Sequence, residues 1–197
     1  MSLLDLVKDN LSGDAIGQLA GKIGIDPAIA KSAVGAALPA IVSALAKNAQ
    51  SDDGAAKLDK ALEKHDGGVA AKLQAAAPDL LAEGAKILGH VFGNKQAAAQ
   101  NQVAKATSGS GLDMAQIGAL LAGLAPVVMS TLQSKKKAEG LDTAGLSQSL
   151  QADGKEAKKE AGGTFSFLDA DGDGDIMDDL AEKASLLGGL FGGDKKA

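Results

Sequence analysis

The chain has 197 residues, a mass of 19.5 kDa and a formal net charge of -5, a length suited to one domain or a domain with a tail. It has no Cys, which excludes disulfides, thiolate metal sites, iron–sulfur ligation and Cys nucleophiles. All 20 basic residues are Lys, and four Phe stand alone with no Trp or Tyr; an acidic chain without the Arg fork or stacking rings is a poor partner for nucleic acid.

Ala occupies 39 positions and Gly 26, about a third of the chain. At roughly 25 cal/mol per Å² of apolar surface, such small side chains must build a core from many close contacts. The pattern is helical almost throughout. Ser2 caps a short helix to Asn10 with Leu3, Leu6 and Val7 on one face. Its early acid, Asp5, and repeated charge do not fit a secretory signal, so the cytoplasm is the expected location. A second helix covers Asp14 to Ile23 and stops at Gly24. Asp26-Pro27 opens the third, pairing a capping acid with Pro at the first helical position. That helix continues to Asn48, and Pro39 within it is expected to kink or divide it. Ser51 caps a helix from Asp52 to Lys64, broken by His65-Asp66-Gly67-Gly68. Two helices split near Pro78 cover Val69 to Phe92, and Lys95 to Thr107 leads to the break Ser108-Gly109-Ser110-Gly111. A helix capped at Asp113 then runs to Lys136 with Pro126 inside it. No alternating β-branched run argues for a strand. The expected fold class is all-α, a compact multi-helix bundle.

The remainder changes character. A short helix, Ala144 to Leu150, precedes Gln151 to Gly163, which is polar, charged and free of aromatics, a linker composition. Phe165-Ser166-Phe167-Leu168 follows, then an acidic loop and an apolar helix from Asp179 to Phe191. The expected organisation is a helical domain over residues 1–150, a linker over 151–163, and an acidic loop with a terminal helix over 164–197.

An internal repeat organises the first of these. An offset of 87 pairs Asp26 with Asp113, Ala28 with Ala115, Pro39 with Pro126, Ser43 with Ser130 and Leu45 with Leu132. Two related helical units, about 15–50 and 100–137, are therefore expected. A second echo at an offset of 99 pairs Leu88-Gly89 and Phe92-Gly93 with Leu187-Gly188 and Phe191-Gly192. Ser32 to Ala46 and Ile117 to Ser134 carry no charge. The first is short for a ~30 Å hydrocarbon layer and the second only reaches the ~18 to 20 residues required, so both read as core helices.

Leu3-Leu4-Asp5-Leu6, the stretch from Leu112-Asp113 through Pro126 to Leu132, and Leu168-Asp169 through Leu180 together resemble the YidB-like bacterial family, domain of unknown function 937. The resemblance covers most of residues 1–190, through loose and mostly apolar motifs. It implies an all-helical fold and transfers no catalytic residue. The chain departs from the family pattern at Asp175 and around His65.

The sharpest motif is the stretch Asp169 to Asp179, in which Asp169, Asp171, Asp173, Asp175, Asp178 and Asp179 supply six carboxylates in eleven residues. Acids at alternate positions 1, 3 and 5, Gly174 at 6 and Ile176 at 8 match the first two-thirds of an EF-hand-like Ca²⁺ loop. Alternate side chains of a tightly curled loop converge on one point, as a hard cation needing six to eight oxygens at about 2.3–2.6 Å requires. Leu180 stands where the bidentate Glu would be, leaving Asp178 or Asp179 to substitute. The plainer reading is a solvated turn capping a helix, but six like charges repel unless a cation lies among them. His65 reads as a solvated helix end and His90 as a partly buried core histidine. Lys135, Lys136, Lys137, Lys155, Lys158 and Lys159 read as solvated faces.

These observations point to a non-enzymatic helical structural or interaction protein with a Ca²⁺-binding loop. Its expected partner is a second copy or another protein, with close helix approach at Ala33, Ala37, Gly118 and Ala122. The alternative is membrane association through residues 117–134.

Overall fold

The computed structural model describes residues 1–65 and 77–161. The helices in chain order are α1 (Leu3–Asn10), α2 (Gly13–Ile23), α3 (Pro27–Asn48), α4 (Asp52–Leu62), α5 (Ala77–Phe92), α6 (Gln96–Ala106), α7 (Met114–Glu139) and α8 (Thr143–Glu160). Short 3-10 turns extend α4 over Glu63–His65 and join α5 to α6 over Gly93–Lys95. No strand occurs among the described residues, and the fold is all-α.

Local chemistry explains most of the boundaries. The side chains of Ser2, Ser12, Asp26, Ser51, Asp113 and Asp142 each accept a hydrogen bond from a backbone N–H in the first turn of the helix they precede. At α7 this is a full capping box, in which Gln116 Oε1 accepts in return from Asp113 N at 3.0 Å. Gly24 (φ 74°) and Gly140 (φ 63°) end α2 and α7 in the left-handed region that a side chain disfavours.

Helices α3 and α7 are the centre. Every residue of α7 from Leu120 to Gln133 is buried, as expected of a helix that is apolar on all sides. The core adds Leu3, Leu4 and Val7 of α1, Leu19 of α2, Leu38, Ile41 and Leu45 of α3, Leu62 of α4, Leu88 of α5, and Leu146 and Leu150 of α8. Both segments paired by the 87-residue offset are long Asp-capped helices with an internal proline.

Neither proline divides its helix. Pro126 has no N–H to give the Ala122 carbonyl four residues back, and that carbonyl lies directly against Gly84 of α5, where a Cβ would collide with it. The most extensive helix pairings are α3 with α8 and α5 with α7, and each contains such a contact. At Gly154 of α8 an added Cβ would stand 2.5 Å from Ala46 Cβ of α3. A third close approach sets Gly123 of α7 under the side chain of Leu19.

The expected linker from residue 151 is overturned as far as the described residues go. One helix, Thr143–Glu160, continues through it, with Asp153, Gly154 and Ala157 buried. Leu146, Leu150, Asp153, Gly154 and Ala157 recur at helical spacing and form one stripe against the bundle. Small side chains and a single acid occupy its second half, so average composition conceals it.

Candidate functional site

Polar side chains within the bundle meet along a seam where α8 lies beside α1, α4 and α7. Lys135 follows a long apolar run near the end of α7 and lies on its inward face, with a buried side chain. Its Nζ donates to Asp153 Oδ2 at 2.7 Å. The other carboxylate oxygen, Oδ1, accepts from Leu3 N at 2.9 Å, a bond spanning 150 residues of sequence. One buried acid thus neutralises the Lys135 ammonium and satisfies a free N–H at the start of α1.

One residue on, Lys136 forms an ion pair with Asp59 of α4, whose Oδ2 also accepts from Thr143 Oγ1 at 2.7 Å. Partial burial raises the Asp59 carboxyl pKa. The hydrogen bonds from Lys136 and Thr143, together with the Lys136 charge, outweigh that and hold it below its ordinary value of 3.8. Ser147 Oγ donates to Ala49 O at 2.6 Å, and Asn48 Nδ2 to Val91 O at 2.9 Å. At the far end of α8, Lys8 Nζ grips both oxygens of Glu160 at 2.8 and 2.6 Å.

Three readings of basic residues change accordingly. Lys135 is no solvated lysine but the buried partner of Asp153. His65 is buried rather than a solvated helix end, with Nδ1 3.1 Å from Glu83 Oε1 of α5. His90 is exposed rather than part of the core, because it falls on the outer face of α5 while Leu88 and Val91 turn inward. The sequence signal for Lys135 is its place one turn beyond Thr131 and Leu132 on an apolar helix; for Asp153, it is the place in the Leu146–Leu150–Ala157 stripe.

A shallow cleft of about 350 Å³ opens at the corner where α1 ends and α2 and α3 begin. Leu11, Gly13, Ile16, Pro27, Ala28 and Lys31 line it. The carboxylates read as a cation loop, Asp169, Asp171, Asp173, Asp175, Asp178 and Asp179, lie outside the described residues. Among the described residues no group of three or more His, Asp or Glu side chains is placed to hold a metal ion. Helices α3 and α7 are long and apolar enough to cross a membrane, but 78% of the most apolar window of α7 is buried within the protein, against 50% for α3.

Fold and seam define an all-helical bundle with aliphatic packing, its buried charges spent on tying helices together. The chain belongs to the DUF937 family, bacterial proteins of unknown function, whose family model matches residues 5–135. The match ends at Lys135, so α8, which carries the partners of Lys8 and Lys135, lies beyond it. No curated protein and no solved structure matches the chain.

Proposed function

We propose that this protein is a non-enzymatic helical scaffold whose C-terminal acidic loop takes up Ca²⁺ through Asp169, Asp171, Asp173 and Asp175, with Asp178 or Asp179 completing the ligand set. The observation that supports the scaffold reading is the use of the charged groups at the seam. Asp153 ties α8 to the neighbouring α7 through Lys135 and to the distant α1 through Leu3 N, and the Lys136–Asp59 pair ties α7 to α4. The 1-3-5 spacing of the acids and Gly174 support the ion reading. The partner of such a scaffold is a second copy or another protein, and the burial of α7 favours this over membrane association through residues 117–134.

Calorimetric titration of Ca²⁺ into chelator-stripped protein tests the loop. The expected result is saturable uptake near one ion per chain and a higher melting temperature, both lost when Asp171 and Asp173 are changed to Asn. Absence of heat together with an unchanged melt would reduce the loop to an acidic helix cap. Flotation with liposomes tests the alternative, and protein remaining wholly in the aqueous fraction is the expected outcome.

A further inference from the structure

We propose that the cleft where α1, α2 and α3 meet is the seat of the chain's own segment Phe165-Ser166-Phe167-Leu168. Buried Leu11 and Ile16 lie in it, with exposed Gly13, Pro27, Ala28 and Lys31 around them. A Cβ added at Gly13 would meet nothing within 4 Å, so this wall stands open.

The fold delivers the chain to this corner. Helix α8 ends at Glu160, and its carboxylate is held by Lys8 in the last turn of α1. Leu11 follows three residues later and donates its N–H to Lys8 O at 3.1 Å, and positions three apart are neighbours on a helix face. Phe165 and Phe167 follow Glu160 by five and seven residues, a reach of up to about 18 and 25 Å. The gap to be bridged is the turn between Lys8 and Leu11, ~5.4 Å, together with the lengths of the Lys8 and Glu160 side chains that meet tip to tip. The tether is therefore long enough, and short enough to keep the segment close.

The segment's chemistry matches the cleft. Three of the four Phe in the chain are Phe165, Phe167 and Phe191, all beyond Ala161, and exposed aromatic rings gain by leaving water. Asp169 comes directly after Leu168. Lys31, which has no ion-pair partner among the described residues, stands at the cleft to receive that charge. Exit point and tether length together select this segment over a second copy. The docking does not rest on ion binding by the loop that follows.

The chain has no Trp or Tyr, so Phe167→Trp in the full-length protein provides a single reporter. In chelator, its emission is expected at shorter wavelength than in urea, with acrylamide quenching reduced severalfold. Ala28→Glu sits at an exposed position in the first turn of α3, where an acid suits the helix. It should restore the solvent-exposed spectrum with far-UV circular dichroism unchanged. Lys31→Glu should weaken the protection in a salt-dependent way. A Trp as accessible in the native chain as in urea, or protection indifferent to Ala28→Glu, overturns the proposal. Protection that rises with protein concentration also overturns it, because the occupant would then be a second copy.

Discussion

Replacing Asp153 by Asn tests the seam where it is most deeply buried. The two side chains of the Lys135–Asp153 pair are 6% and 5% exposed, so solvent screens the interaction little. The amide oxygen introduced by Asp153→Asn would still accept the Leu3 N–H, but its NH₂ would face the Lys135 ammonium and leave a buried charge uncompensated. Breaking a buried pair this way costs about 3–5 kcal/mol, a large part of the ~5–15 kcal/mol that stabilises a domain. Lys135→Met should cost a comparable amount by stranding the carboxylate. With both changes neither charge remains and the Leu3 N–H keeps its acceptor. The double variant should then return to within about 1–2 kcal/mol of the parent, a coupling of at least ~4 kcal/mol. Urea unfolding followed by far-UV circular dichroism, with midpoints compared at constant slope, gives the four numbers of the cycle. A loss below ~1 kcal/mol for Asp153→Asn, or strictly additive effects in the double variant, would mean that water reaches the pair and would refute the argument.

The glycines should divide by position. Gly84→Ala drives a Cβ into the Ala122 backbone and should lower stability by about 1–3 kcal/mol, whereas Gly17→Ala, with nothing within 4 Å, should raise it by about 0.5–1 kcal/mol; paired thermal melts check both signs. Asp59 has a depressed folded-state pKa, so its contribution is fully present above the ordinary carboxylate range and is lost as pH falls through the lower folded value. Asp59→Asn should accordingly lower stability at neutral pH and flatten the acid limb of a stability–pH curve.

The helices and their ends are legible because their causes are local. Ser2, Asp26, Ser51 and Asp113 precede apolar helical runs, and each is readable as a cap from its neighbours alone. The near-continuous apolar character of residues 117–134 likewise announces the core helix. Gln151 to Glu160 reads wrongly as a linker because its buried stripe holds Asp153, Gly154 and Ala157, residue types that averaged composition counts as polar or neutral. His65 and His90 exchange places for a related reason. A histidine beside charges is drawn inward when Glu83 of another helix lies over it, and one among apolar residues can still fall on the outer face. The small-residue contacts are expected within α3 and α7 at Ala33, Ala37, Gly118 and Ala122. Two of these positions are met, Ala122 against Gly84 and Gly118 against Gln100, and further close approaches bring Gly123 to Leu19 and Gly154 to Ala46.

By itself the sequence determined the all-helical class, the caps of α1, α3, α4 and α7, and the absence of thiol chemistry, since each depends on residue type and on spacings within a few positions. It also carried the alternating acids from Asp169 to Asp175, on which the ion proposal stands. Only the tertiary structure decided which charges are buried. Leu3, Lys135 and Asp153 become neighbours when α1, α7 and α8 pack, and Lys136 meets Asp59 only when α4 joins them. The carbonyl freed by Pro126 is likewise a local defect until Gly84 of another helix lies against it. Burial and long-range pairing depend on how helix faces come together, and that is a property of the assembled bundle rather than of any one segment.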